Sequence, residues 1–187
     1  MQDFTFRTDS DGYGWVKVKI AAGSQEVTFD APYLGSYPLS DALYTLRTLL
    51  NRDKEESSYH KPMYMEWESE PGCLVVSLEL LDNDNLFVKV EENVDGNSGH
   101  DSDATMETRL ETEIPLAEYK DIIIKEAERN LVRHGLVGME DDWADGPDVF
   151  PLNVYLELKG IRSNDGPGKL KTSSLAEELR ILNALLG

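Results

Sequence analysis

Residues 63–92 constrain the fold more than any other part of the chain. Their apolar side chains alternate with polar ones in three successive runs, MYMEWESEPGCLVVSLELLDNDNLFVKVEE. This period of two is expected of strands that bury one face. Pro71 and Gly72 separate the first two runs, and the turn-forming residues 82–85 separate the second from the third. The segment predicts three consecutive antiparallel strands, whose apolar face other parts of the chain must cover.

Shorter alternating runs on both sides of this segment predict further strands. Residues 4–8, 15–20 and 26–30 form a meander at the amino end, with turn-forming residues between the runs. In residues 107–114, Glu and Arg alternate with Leu, Ile and Thr. This pattern predicts a strand with a strongly charged outer face.

Two segments have the apolar spacing of helices. Residues 40–51 carry leucines at intervals of three or four, and Ser40 is the predicted N-cap. Residues 116–134 carry a second apolar stripe, which Gly135 is well suited to end. Both helices are predicted to pack on the apolar face of the sheet.

The carboxyl-terminal part of the chain contains two further elements. The alternation in residues 150–159 favours a strand, although Pro151 near a helix start also fits a helix. Ser174 and Glu177 form a capping box, which predicts a C-terminal helix over residues 174–187. The apolar stripe of this helix must be buried on the domain itself or on a second copy of the chain. The stripe consists of Leu175, Leu179, Leu182 and Leu186.

These elements define the predicted fold class and domain organisation. The chain is predicted to be α+β, with a mostly antiparallel sheet of about six strands, two helices packed on one face and a C-terminal helix. Residues 1–162 form a single α+β domain, residues 163–173 a linker or loop, and residues 174–187 the C-terminal helix. A chain of 187 residues can bury a core without disulfides.

Composition limits the compartment and the partners. Cys73 is the only cysteine, which excludes a disulfide framework and fits a reducing compartment. The sequence shows no secretory signal and no segment long enough to span a membrane, so a cytoplasmic location is expected. The 36 Asp and Glu residues outnumber the 18 Lys and Arg residues, and the net charge is −18. This charge disfavours binding to nucleic acids and anionic lipids and favours a basic protein partner.

Two acidic segments, residues 140–148 and 91–107, supply the candidate binding residues. Trp143 lies among uncompensated carboxylates, where it can anchor a basic partner, since Trp is frequent at hot spots and opposite charge speeds encounter. Burial of Trp143 under the preceding helix end is the alternative. The predicted partner-binding residues are Glu91, Glu92, Asp95, Asp101, Asp103, Glu140, Asp141, Asp142, Trp143, Asp145 and Asp148.

Catalytic and metal chemistry lack support in the sequence. Alternate oxygen donors in residues 95–103 resemble the start of a calcium loop, but His100 stands in place of the turn glycine and Met106 in place of the bidentate glutamate. His60, His100 and His134 have no metal-ligand spacing. Motifs of hydrolases, zinc proteases and nucleotide-binding proteins are absent from the sequence. No catalytic residue, metal ligand or cofactor is predicted.

Several segments together carry a resemblance to known proteins. They are the helix LSDALYTLRTLL, the turn WESEPG, the paired strands after it, the long helix and the later FPLN segment, within residues 13–160. In this order they resemble a group of uncharacterised small bacterial proteins, some of which are similar to immunity proteins of polymorphic toxins. The resemblance implies a cytoplasmic single-domain inhibitor without a cofactor, and it supplies no catalytic residue.

Three functional hypotheses follow from these observations. The leading one is a non-enzymatic acidic protein-binding domain, most concretely an immunity-type inhibitor of a basic toxin. The first alternative is a carboxylate-based or metal-dependent small-ligand enzyme. The second alternative is a homo-oligomeric structural module, a homodimer joined through the C-terminal helix.

Overall fold

The computed structural model describes residues 3–10, 15–32, 37–53, 58–69, 72–93, 105–141, 150–162 and 172–186. Within these residues the chain is α+β, with seven strands in two antiparallel sheets and four α-helices. The sequence predicted one sheet of about six strands instead. The difference arises because the strands of the amino-terminal meander pair only with one another, and so form a sheet separate from the central strands.

The first sheet has three strands, β1 (Phe4–Ser10), β2 (Trp15–Ala22) and β3 (Gln25–Pro32), paired in chain order. Each strand buries every second side chain, as the alternation in the sequence predicted. Val18, for example, is buried, whereas its neighbour Lys17 points to the opposite, exposed side. The sheet therefore has one face in the core and one in solvent.

The second sheet has four strands in the order β4 (Met63–Ser69), β5 (Gly72–Leu80), β6 (Asn85–Asn93) and β7 (Met106–Pro115). The three antiparallel strands predicted over residues 63–92 are confirmed, and the strand predicted over residues 107–114 joins them as β7. Their inward side chains are almost fully buried. The register of β6 and β7 shifts by one residue after Val90, which marks a β-bulge.

The N-cap of helix α1 (Pro38–Leu50) lies three residues before the N-cap that the sequence predicted. Ser40 is inside the helix, and Tyr37 is the N-cap, without a side-chain cap bond. Pro38 explains the early start, because its fixed φ suits the first helical turn and its missing N–H needs no acceptor there. Asp41 accepts a hydrogen bond from the Trp67 indole at 3.0 Å and so connects α1 to β4.

Helix α2 (Leu116–Asp141) begins at the predicted residue and continues beyond the predicted end. Gly135 interrupts it with a φ of 65° and a ψ of 171°, a conformation that glycine adopts without steric cost. Regular helical geometry is thus broken where the sequence predicted it, but a further helical segment follows to Asp141.

Residues 150–159, which the sequence favoured as a strand, form helix α3 (Leu152–Leu158). The amide of Tyr155 donates to the carbonyl of Pro151 at 3.0 Å, so Pro151 precedes the helix as its N-cap. Val154, Tyr155 and Leu156 are consecutive and all buried, a pattern that a two-sided strand exposed on one face cannot produce. Because this helix is buried on most sides, most of its residues are apolar, and their alternation in the sequence does not reflect a strand.

Helix α4 (Leu175–Asn183) is followed by a 3-10 turn, Ala184–Leu186. The predicted cap is confirmed, since the Ser174 hydroxyl accepts from the Glu177 amide at 3.4 Å. Leu182 packs against the core, whereas Leu175, Leu179 and Leu186 are exposed and Ile181 is the buried residue instead.

One hydrophobic core receives side chains from both sheets and from all four helices. Trp67 on β4 is fully buried, and its ring lies 6.3 Å from that of Phe6 on β1, so the two sheets meet through aromatic side chains. Cys73 is buried, as expected for a small apolar residue. None of the described helices combines the length and the hydropathy that crossing a bilayer requires.

Candidate functional site

Glu126 on α2 is a fully buried carboxylate surrounded by donors. Its Oε1 accepts from the Thr8 amide and from Arg129 Nη2, each at 2.7 Å. Its Oε2 accepts from Arg7 Nη1 at 2.8 Å and from Arg129 Nε at 2.9 Å. The Asn130 amide nitrogen also donates to Oε1, at 3.1 Å. Such a set of donors balances the desolvation of a buried charge.

The electrostatic environment keeps Glu126 ionised. Burial alone would raise its pKa, but hydrogen bonds from Arg129, from the backbone amide of Thr8 and from Arg7 outweigh this effect, and the pKa is lowered from its ordinary value. Glu126 conversely raises the pKa of Arg129. A carboxylate held in this form has no accessible lone pair for substrate or metal.

The contacts of Glu126 and Arg129 have a structural role. Arg129 Nη2 donates to the Thr8 carbonyl at 2.5 Å while Glu126 receives the Thr8 amide, so α2 satisfies both backbone groups at the free edge of β1. Exposed strand edges promote association with other chains, and a covering helix prevents this. Glu126 therefore fixes α2 on the edge of the first sheet and is not a candidate active site.

The described residues offer little for small-molecule or metal chemistry. No three His, Cys, Asp or Glu side chains among them converge as metal ligands. A cleft of about 90 Å³ between β1 and α2 is lined by Phe4, Arg7, Ile122 and Lys125, among others, and contains no carboxylate. Residues 95–103, in which the sequence suggested a partial calcium loop, lie outside the described residues.

The solvent-facing side of the four-stranded sheet, here called the outer face, combines apolar and acidic side chains. Its first row crosses three strands, with Phe87 on β6 between Glu79 on β5 and Glu113 on β7. Directly opposed residues in antiparallel strands have Cβ atoms about 5 Å apart, so the ring is flanked by a carboxylate on each side. All three side chains are partly or fully accessible to solvent.

The second row of the outer face runs through Tyr64, Ser77, Lys89 and Glu111 on β4 to β7. Tyr64, the second residue of the edge strand β4, is 65% exposed. Lys89 donates to Glu91 at 2.7 Å, and this hydrogen bond is the largest cause of its raised pKa. The single cation on these rows is therefore already bound to a neighbouring carboxylate.

The third row places Val75 on β5 between Glu66 on β4 and Glu91 on β6. It repeats the arrangement of the first row, an apolar side chain flanked by two glutamates. Across the three rows, five glutamates lie among Tyr64, Val75 and Phe87, with Lys89 in the middle row and a second cation, Arg109, at the adjoining bulge of β7. The outer face thus carries three apolar or aromatic side chains interspersed with carboxylates, and Ser77 and Lys89 lie between Val75 and Phe87.

This charge is particular to the four-stranded sheet. On the exposed side of the three-stranded sheet, Lys17 pairs with Asp30 at 3.5 Å and Lys19 with Glu26 at 2.9 Å. Opposite charges there are matched across neighbouring strands, which limits the field that the sheet projects into solvent. The outer face, by contrast, carries more carboxylates than cations.

The structure places the predicted partner-binding residues unevenly. Glu91 lies on the outer face, and Glu92 beside the bulge, where it accepts from Arg109 Nε at 2.8 Å. Both carboxylates therefore already have a cation partner. Glu140 and Asp141 belong to the end of α2. The other predicted residues lie outside the described part of the chain, namely Asp95, Asp101, Asp103, Asp142, Trp143, Asp145 and Asp148.

Sequence analysis did not identify Tyr64, Phe87, Glu79 and Glu113 as one site. The alternation assigned Tyr64, Glu79 and Glu113 to the polar sides of their strands, and this signal was correct, whereas Phe87 was not assigned to a side. Their juxtaposition depends on the register of three strand pairs, which alternation within one strand does not specify.

Comparisons with family models, with curated proteins and with solved structures found no match to this chain. The resemblance to immunity proteins therefore stays a hypothesis. The functional conclusion depends on the chain's own residues, and above all on the chemistry of the outer face.

Proposed function

We propose that this chain is a non-enzymatic acidic protein-binding domain, an immunity-type inhibitor that captures a basic toxin in the cytoplasm. The observation that carries the proposal is the outer face, where Tyr64, Val75 and Phe87 lie among glutamates. Apolar and aromatic side chains interspersed with charged groups can supply both contact area and charge complementarity at a protein interface. The net charge of −18 adds long-range attraction for a basic partner and repulsion of nucleic acids.

The shape and chemistry of the outer face favour a protein over a small ligand. Small-molecule sites are concave and enclose most of their ligand, whereas the outer face is an open sheet surface. Tyr64 and Phe87 can pack against apolar side chains of a partner, and the flanking glutamates can accept hydrogen bonds from Lys or Arg at its rim. We infer that the partner presents lysines or arginines interspersed with apolar side chains.

Co-expression with the products of the adjoining reading frames tests the proposal. A basic toxin among them should be neutralised in growth assays and should co-purify with this chain. Its affinity, measured by calorimetry, should fall as ionic strength rises, because screening weakens the attraction between opposite charges. The proposal would be contradicted if none of these products were bound or neutralised by this chain. It would also be contradicted if the affinity did not depend on ionic strength.

A charge reversal on the outer face separates the contribution of this surface to binding from the contribution of the net charge of the whole chain. Glu113→Lys places a cation beside Phe87 and should weaken binding about tenfold or more, since like charges at an interface cost about 1.4 kcal/mol or more. Asp121→Lys on α2 changes the net charge by the same amount at an exposed position away from the sheet. This control should weaken binding far less. Equal losses for both variants would show that the outer face is not the binding surface.

A further inference from the structure

A second candidate interaction surface lies on α4 and its 3-10 turn, away from the outer face. This segment contacts the rest of the protein mainly through Ile181, which is buried, and through the half-buried Leu182 and Leu185. Ile181 and Leu185, four residues apart, lie on the same side of the segment, and Leu182 borders that side. The side that α4 turns toward the core is therefore rotated from the stripe predicted by sequence.

The other leucines of the segment face solvent. Leu175 is 66% exposed, Leu179 47% and Leu186 84%. A single exposed leucine is ordinary in a folded protein, but three along one side of a short helix form a continuous apolar strip. Each residue of an α-helix is rotated by about 100° about the helix axis, which places Leu182 between this strip and the core-facing side. Leu182 therefore connects the exposed strip to the core.

The spacing of these leucines is symmetric. Leu175, Leu179, Leu182 and Leu186 are separated by four, three and four residues, so the pattern is the same in both chain directions. A two-fold axis between residues 180 and 181 would place Leu175 opposite Leu186 of a second copy, and Leu179 opposite its Leu182. Two-fold interfaces require such self-complementary surfaces, and this three-four spacing is that of helices packed as a coiled coil.

The charges on α4 are compatible with the same pairing. About this axis, Glu177 and Glu178 would lie opposite Ala184 and Asn183 of the second copy, so carboxylates do not face one another. In a chain with a net charge of −18, most other surfaces would bring like charges together. The α4 segment is thus a place where two copies can approach without strong local repulsion.

We propose that two copies of this chain associate through antiparallel packing of α4 and its 3-10 turn, with Leu175, Leu179 and Leu186 in the contact. The interface consists of nine helical residues and a three-residue turn from each copy. An interface of this size belongs to the weak, reversible class, so the dimer forms only as the concentration rises. This inference is independent of the function proposed for the outer face.

Sedimentation of the full chain over a wide concentration range tests the association. The mass should rise from 21.0 kDa toward twice that value as the concentration increases. The double variant Leu175→Asp/Leu179→Asp should stay at the monomer mass, because both side chains are exposed and their replacement leaves the core intact. The matched control Val132→Asp alters a residue on α2 that is 64% exposed and should dimerise like the unaltered chain.

Ionic strength separates this association from capture of a basic partner. Salt screens repulsion between two chains of the same sign, so it should strengthen the dimer while it weakens a complex with a basic protein. A constant mass of 21.0 kDa at low and high salt would overturn the proposal. It would equally be overturned by an unchanged dimer in the double variant, or by loss of the dimer in Val132→Asp, because the contact would then lie elsewhere.

Discussion

The substitution Glu126→Gln should destabilise the fold much more than an equivalent change on the same helix. Glutamine keeps the volume of the side chain, and its oxygen can still accept from the Thr8 amide. Its NH₂ group, however, would take the place of Oε2, which now accepts from Arg7 and Arg129. Two charge-assisted hydrogen bonds would be lost, and the NH₂ group of glutamine would face the N–H groups of Arg7 and Arg129, which are also donors.

The expected cost follows from the burial of these groups. Hydrogen bonds to charged groups contribute roughly 1.5–3 kcal/mol each, and breaking a fully buried ion pair costs about 3–5 kcal/mol. The side chains of Arg129 and Arg7 are 31% and 52% exposed, so water can partly replace the carboxylate. We therefore expect a loss of about 2–3 kcal/mol in the free energy of unfolding, below the fully buried limit.

Urea denaturation followed by circular dichroism measures this loss, with Glu128→Gln as the control. Glu128 accepts from the Tyr155 hydroxyl at 3.1 Å and from Lys159 at 2.8 Å through a single oxygen, Oε1, which glutamine retains. Glu128→Gln should therefore lower the free energy of unfolding by less than about 1 kcal/mol. A loss for Glu126→Gln no larger than that of Glu128→Gln would refute the structural role assigned to Glu126.

The pH dependence of the same difference gives a second check on Glu126. Because folding lowers the pKa of Glu126 from 4.5, the folded state binds a proton less readily than the unfolded state. The stability that its charge provides is complete above about pH 4.5 and is lost as the pH falls through the folded pKa. The difference in the free energy of unfolding between the unaltered chain and Glu126→Gln should therefore be largest near neutral pH and should decrease in acid.

Two further predictions concern other parts of the fold. Gly72→Ala should destabilise the protein by about 1–3 kcal/mol in urea titrations, because Gly72 has a φ of 111° and an added Cβ would lie 2.9 Å from the Asn93 carbonyl oxygen. Burial, and next the negative charge of Glu128, raise the pKa of Tyr155, so the stability contributed by its neutral hydroxyl should be lost as pH rises above about 10. Tyr155→Phe should lose less stability in alkali than the unaltered chain, and an identical pH profile would contradict this cause.

The helices show how far local sequence signals determine structure. The start of α2 at Leu116 and the Ser174 cap of α4 were predicted correctly, because a proline before the first helical residue and a capping hydroxyl both act on backbone groups within a few residues. The strand favoured over residues 150–159 was wrong, because the same apolar residues satisfy two periodicities. Only the surrounding core, which buries consecutive residues there, selects the helix.

The sequence by itself determined the strands, their inward and outward sides and the excess of negative charge, since these depend on residue order and composition alone. Tertiary structure decided the rest. Register across β4 to β7 places Phe87 between Glu79 and Glu113, and the long-range contact of Glu126 with Thr8 holds α2 on the edge of β1. The packing of α4 decides which of its leucines stay in solvent. Each of these features joins residues distant in sequence, so no local pattern specifies them.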